Sequence, residues 1–153
     1  MAKVKIEVVA PRPEALEAAD RLHSAAIHLL RRARLQDVVS RLGPAQLSAL
    51  SVLVFAGPRT LGGLAAAEHV KPPTMSRVVA GLKRSAMIEI SRDPHDARRM
   101  RIRASAKGVR LVQHVRQRRI EYLAAHLGTL TVGELAQIRG VADTVEKLLS
   151  QWK

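Results

Sequence analysis

Residues 61–90 read LGGLAAAEHVKPPTMSRVVAGLKRSAMIEI. A short leucine-alanine helix is expected over 61–69 despite its two glycines, then a tight turn over 69–73. A second helix follows over 74–85, with Met75, Val78, Val79 and Leu82 at helical spacing and pointing inward. At Ile88 the apolar period falls to two. Ile88 and Ile90 alternate with Glu89 and Ser91; beyond the turn residues DPHDA, Met100 and Ile102 alternate with Arg99, Arg101 and Arg103. This predicts a β-hairpin with one buried face, on which Met100 and Ile102 hold the second strand to the core. Helix, turn, helix and hairpin in that order make a winged helix-turn-helix.

The flanks are helical. Residues 14–36 place apolar groups at 16, 19, 22, 26, 29, 30 and 33. Gly43-Pro44 ends that region and opens a helix over 45–55, with Leu47, Leu50, Leu53 and Val54 on one face. AGPRT, 56–60, reads as a turn. Helical period returns over 106–127, and Thr131 with Glu134 forms a capping box that opens a last helix. The fold class is therefore mainly α (α+β): a single domain over 1–153, with a winged helix-turn-helix lobe at 42–105. Long terminal helices at 14–40 and 109–153 flank it, and each offers an apolar stripe. One small lobe offers too little surface to cover those stripes, so they are expected to form a dimerisation region.

Charge is concentrated. The chain carries a formal net charge of +13, of which residues 71–119 supply fourteen basic and three acidic groups, or +11. A solubilising charge would be spread evenly; a localised one recruits polyanions. Aromatic residues make up 2% of the chain, so the core is built from Leu, Val, Ile and Ala. The absence of cysteine excludes disulfides and thiol chemistry. No apolar run approaches the roughly 18 residues of a membrane span, and the N-terminus lacks the apolar segment of a signal peptide. A cytoplasmic protein with no membrane partner is expected.

Several short motifs carry a family resemblance. They are Gln46, Leu64-Ala65, Pro72-Pro73-Thr74, Asp96-Ala97-Arg98 and Ser105-Ala106-Lys107-Gly108, within GPAQLSALSVL (43–53) and the run from Thr60 to Gly108. In this order and spacing the chain resembles the MarR family of transcription regulators. The resemblance implies a homodimer that binds a pseudo-palindromic double-stranded DNA operator, usually as a repressor. It also implies release when a small anionic or phenolic effector enters a cleft beside the lobe. Three positions depart from the family pattern. His69 and Ala86 stand where glycine is usual, and a left-handed backbone at Ala86 costs about 1 kcal/mol. Lys71 stands where Ser or Thr is usual, which removes a helix cap worth about 1 kcal/mol.

A recognition helix meets base edges through its N-terminal side chains. Lys71, Pro73, Thr74, Ser76 and Arg77 occupy that end, while Lys83 and Arg84 suit phosphates farther along. On an isolated helix the same residues would be read as a solvated face; the charge block and turn motif favour DNA. In the hairpin, Arg92, Arg98, Arg99 and Arg101 are candidate contacts. An arginine at a wing tip enters a narrow minor groove, where the negative potential is enhanced. Asp96 is placed to orient Arg98 by a salt bridge, a pairing that would also simply stiffen the turn. Arg101 and Arg103 fit a solvated sheet face equally well.

Effector candidates are His23, His28, Phe55, Arg110 and His114, since an arginine meets a carboxylate and a phenylalanine stacks on a ring; surface or interface roles explain them equally. The six histidines, at 23, 28, 69, 95, 114 and 126, show no zinc-hydrolase spacing, so no metal or cofactor is expected. No Ser-His-Asp or paired-carboxylate arrangement supports an enzyme. The rival readings are a basic architectural protein that coats DNA without operator preference, and a helical protein-interaction module.

Overall fold

The computed structural model describes residues 10–92 and 100–152. The chain runs α1 (Pro13–Ala33), a 3-10 segment (Arg34–Ser40), α2 (Pro44–Phe55), α3 (Leu61–Ala67) and α4 (Pro72–Arg84). Then come β1 (Ile88–Arg92), β2 (Met100–Ala104), α5 (Ala106–Leu127) and α6 (Val132–Gln151). Residues through Leu35 form one compact unit and those from Gln36 onward another.

In the first unit, Pro13 opens α1 at a position where a missing N–H does no harm. Arg31 and Arg32 close it at the negative end of the helix dipole. Leu16, Leu22, Ile27, Leu29 and Leu30 are all exposed. The helical pattern expected over 14–36 holds as α-helix only to Ala33 and then tightens. Asp37 and the β-branched pair Val38-Val39 are poor helix formers, which favours a break there.

The second unit is organised around α2. Leu47, Ala49, Leu50 and Leu53 are buried on adjoining sides of this helix, and α3, α4, α5 and β2 all pack on it. Leu50, Leu64, Met75 and Leu82 are fully buried, each contributing about 1.5–3 kcal/mol by leaving water. Val78, expected to point inward, is only half-buried at the margin of this core.

The hairpin pairs Ile88 with Ala104, Ile90 with Ile102 and Arg92 with Met100. Ile102 is 3% exposed but Met100 is 49% exposed, which corrects the expectation that both anchor the strand. Met100 lies two pairs beyond Ile90–Ile102, at the start of β2, and lines an open groove with Thr60, Leu61 and Gly62. The 56–60 turn does more than reverse the chain. The Arg59 N–H donates to the Ile102 carbonyl at 3.0 Å and the Ile102 N–H donates to that of Arg59 at 2.8 Å, adding a third short rung to the wing.

The junction from α4 through β1 to α5 explains two of the motifs. Ala86 has φ 57° and His69 has φ 53°, so both positions that depart from glycine are left-handed. Ala86→Gly should raise stability by about 1 kcal/mol, read as a higher denaturant midpoint at constant slope. Ser105 caps α5 by accepting from the Gly108 N–H at 3.1 Å, while its hydroxyl donates to the Ala86 carbonyl at 2.8 Å. Gly108 itself lies against β1: a Cβ there would fall 2.2 Å from the Met87 carbonyl oxygen.

The capping box forms at the start of α6, where the Thr131 N–H donates to Glu134 at 2.8 Å. Hydrogen bonds from Thr131, backbone first and then side chain, hold the Glu134 carboxyl below its usual pKa. Its capping contribution is therefore present at neutral pH and is lost as acid protonates the carboxylate. No residue of α6 is buried: Val132, Ile138, Val141, Leu148 and Leu149 are all exposed, as is Trp152 just after it. Among the described residues no single helix is long and apolar enough to cross a membrane.

Candidate nucleic-acid interface

One face of α4 is committed to the core through Met75, Val79 and Leu82. The 3.6-residue period then dictates what faces outward. Pro73, Arg77, Ala80 and Arg84 share the opposite side, Ser76 and Lys83 flank it, and all six are exposed. Thr74, also exposed, flanks that face near the N-terminus. Arg77 and Arg84 are seven residues apart, hence two turns apart on one line. No acidic residue lies in the first turn of α4, and Lys71 makes no side-chain capping bond. The N-terminal end of the helix therefore combines the Lys71 cation with the positive end of the dipole. Lys83 and Arg84, in the last turn, also complement the negative end.

Gln46 positions this helix. Its Oε1 accepts from the Gly43 N–H at 3.1 Å, which fixes the start of α2. The same side chain lies over Gly81, where a Cβ would fall 2.1 Å from its amide nitrogen. The Gln46–Gly81 contact thus lets α4 approach the N-terminal end of α2 closely.

On the wing, Arg92 shares the Ile88–Ile90 face and is exposed. Arg101 lies on the other face, half-buried, opposite Ser91. Arg103 is engaged by Glu89, with its Nε donating to Oε2 at 2.9 Å, so the solvated-face reading suits it. Arg98, Arg99 and the Asp96–Arg98 salt bridge lie outside the described residues.

The effector candidates separate. Phe55 lines a cleft of about 140 Å³ between α2 and α5, with Leu47, Ser51, Val112, Val115, Arg116, Arg119, Ile120 and Leu123. Arg110 and His114 are exposed on α5, and neither lines this cleft. Each lies two residues from Val112, hence on the far side of the helix. The cations that do line it, Arg116 and Arg119, were legible at four residues from Val112 and Val115. His23 and His28 are exposed on α1.

Comparison with known proteins gives a consistent picture. The family model described as MarR family matches residues 42–99. An HTH-type transcriptional regulator of Mycobacterium tuberculosis is 35% identical over 85% of this chain and 91% of that protein. The structure of a MarR family protein from Bacillus stearothermophilus superposes with a TM-score of 0.77 at 23% identity, covering 94% of this chain and 100% of that one. A MepR mutant of S. aureus, solved bound to an oligodeoxyribonucleotide, gives 0.63 at 21% identity, covering 89% and 98% of the two chains.

Proposed function

The chain belongs to the MarR family of DNA-binding transcriptional regulators, and on that premise we propose that it acts as a homodimer on a pseudo-palindromic operator. Members of this family are non-enzymatic. The observation that carries the proposal is the outer face of α4, where Ser76, Arg77, Lys83 and Arg84 stand clear of a helix anchored by Met75, Val79 and Leu82. Thr74, Ser76 and Arg77 are assigned to base edges; Lys71, Lys83 and Arg84 to phosphates. Pro73 sets the entry of the helix. Arg92, Arg98, Arg99 and Arg101 are assigned to the wing's groove contact. The oligodeoxyribonucleotide-bound form of the MepR mutant supports DNA as the partner. Unburied apolar residues along α1 and α6 support pairing of two chains.

Arg77→Ala tests the assignment. Loss of a bidentate guanine contact removes roughly 1–3 kcal/mol of discrimination, so the preference for operator over scrambled duplex should fall in a competition gel shift. Retained selectivity would remove Arg77 from the reading surface. Lys71→Ser separates binding from folding. The new N-cap should stabilise the protein by about 1 kcal/mol. Loss of one phosphate contact should make the slope of log affinity against log salt shallower by about 0.9.

The α2–α5 cleft is the proposed effector site. Its volume resembles that of an apolar cavity of about 150 Å³ that holds benzene, so a single ring fits. Phe55, Leu47 and Leu123 supply apolar walls, and Arg116 and Arg119 supply the charge for a carboxylate or phenolate. Ligand-dependent release of DNA makes the protein a repressor relieved by that small anion.

A further inference from the structure

Arg119 has two neighbours. It lines the α2–α5 cleft, and its Nε and Nη2 donate to the two carboxylate oxygens of Asp37, both at 2.7 Å. The two residues are 82 positions apart, and their side chains are 31% and 22% exposed. This is a partly desolvated fork, the geometry in which an ion pair is most specific. Among the described residues it is the one ion pair that joins the Gln36–Ser40 stretch to α5.

Resting on the proposed effector cleft, we infer that Asp37 is a built-in competitor for it: a ligand carboxylate that takes the Arg119 fork displaces Asp37. One edge of a guanidinium holds one carboxylate in this bidentate way. Arg116, in the same wall, makes no ion pair among the described residues and supplies the charge that draws a second anion in. The exchange also moves a constraint. Residues 36–40 keep little else: Val38 and Val39 are exposed, Gln36 and Asp37 are half-buried, and only Ser40 is buried. Their other bonds are local, such as the Leu42 N–H to Ser40 Oγ at 3.1 Å. Since this stretch carries the chain from α1 into α2, occupancy of the cleft is reported to the connection between the two units. An uncharged ring enters the same apolar walls and leaves the Asp37 fork intact.

The test uses the full chain with benzoate and benzamide as probes, by calorimetry and by hydrogen exchange of residues 36–40. Removing the internal competitor in Asp37→Asn should tighten benzoate binding about tenfold, the scale of a partly buried charge pair. Benzamide affinity should not change. Benzoate should speed exchange at 36–40 in the wild type, and Asp37→Asn should show that faster exchange without ligand. Asp37→Ser provides a second variant with the same expectation, and a thermal melt checks that both fold. Equal benzoate affinity in wild type and both variants would overturn the competition while leaving the cleft as the effector site. No benzoate binding to any of them at millimolar concentration would overturn the cleft, and the competition with it.

Discussion

Leu148→Asp is expected to turn the dimer into monomers and to remove operator binding at concentrations where the wild type is saturated. Leu148 is 45% exposed in the single chain, in line with Val141 and Val145 along α6. Its substitution therefore disturbs no core contact of its own subunit, and the circular dichroism spectrum should be unchanged. In the proposed dimer the same position lies against a partner helix. An unpaired charge buried there costs about 3–5 kcal/mol, enough to dissociate a micromolar assembly. Losing the second lobe also removes bivalent engagement of the duplex, worth about 10²–10⁴ in avidity. Sedimentation velocity reads the first effect and a gel shift the second. An unaltered sedimentation profile would take α6 out of the interface.

Gly108→Ala should destabilise the lobe by about 3 kcal/mol, the upper end for an over-packed site. The added methyl meets the Met87 carbonyl oxygen at 2.2 Å and the Leu50 side chain at 3.1 Å. Leu50 can shift, but Met87 belongs to the backbone leading into β1 and also accepts from the Ser105 N–H at 2.9 Å. Relief therefore means moving α5 away from the wing and weakening the Ser105 cap. Denaturant unfolding measures the loss. A change below about 0.5 kcal/mol, the ordinary surface range, would show that the contact relaxes freely.

The change of apolar period at Ile88 was sufficient to read the winged lobe, because a core-facing helix and a half-buried strand space their apolar residues differently. Of the three left-handed non-glycine positions among the described residues, His69 and Ala86 are legible as departures from a glycine pattern, whereas Arg41 is not. What escaped was set by tertiary register. Met100 continues the alternation of Ile102, yet it sits two pairs past Ile90–Ile102, where the buried face ends. Arg59 looked like a turn residue because its partner, Ile102, is distant in the chain. Residue type alone favours Arg110 and His114, whereas helical phase from Val112 and Val115 points to Arg116 and Arg119. The Asp37 fork joins residues 82 positions apart and leaves no local pattern.

The central claim is that two copies of this lobe read one duplex together, each through α4 and its wing. Selection of bound sequences from a random duplex library, with the stoichiometry of the selected complex, tests it most directly. The account predicts an inverted repeat whose half-sites are about 10–10.5 base pairs apart, centre to centre, or a multiple of that, with two chains on each duplex. A library that yields no enriched motif, or a lone half-site occupied by one chain, would contradict it.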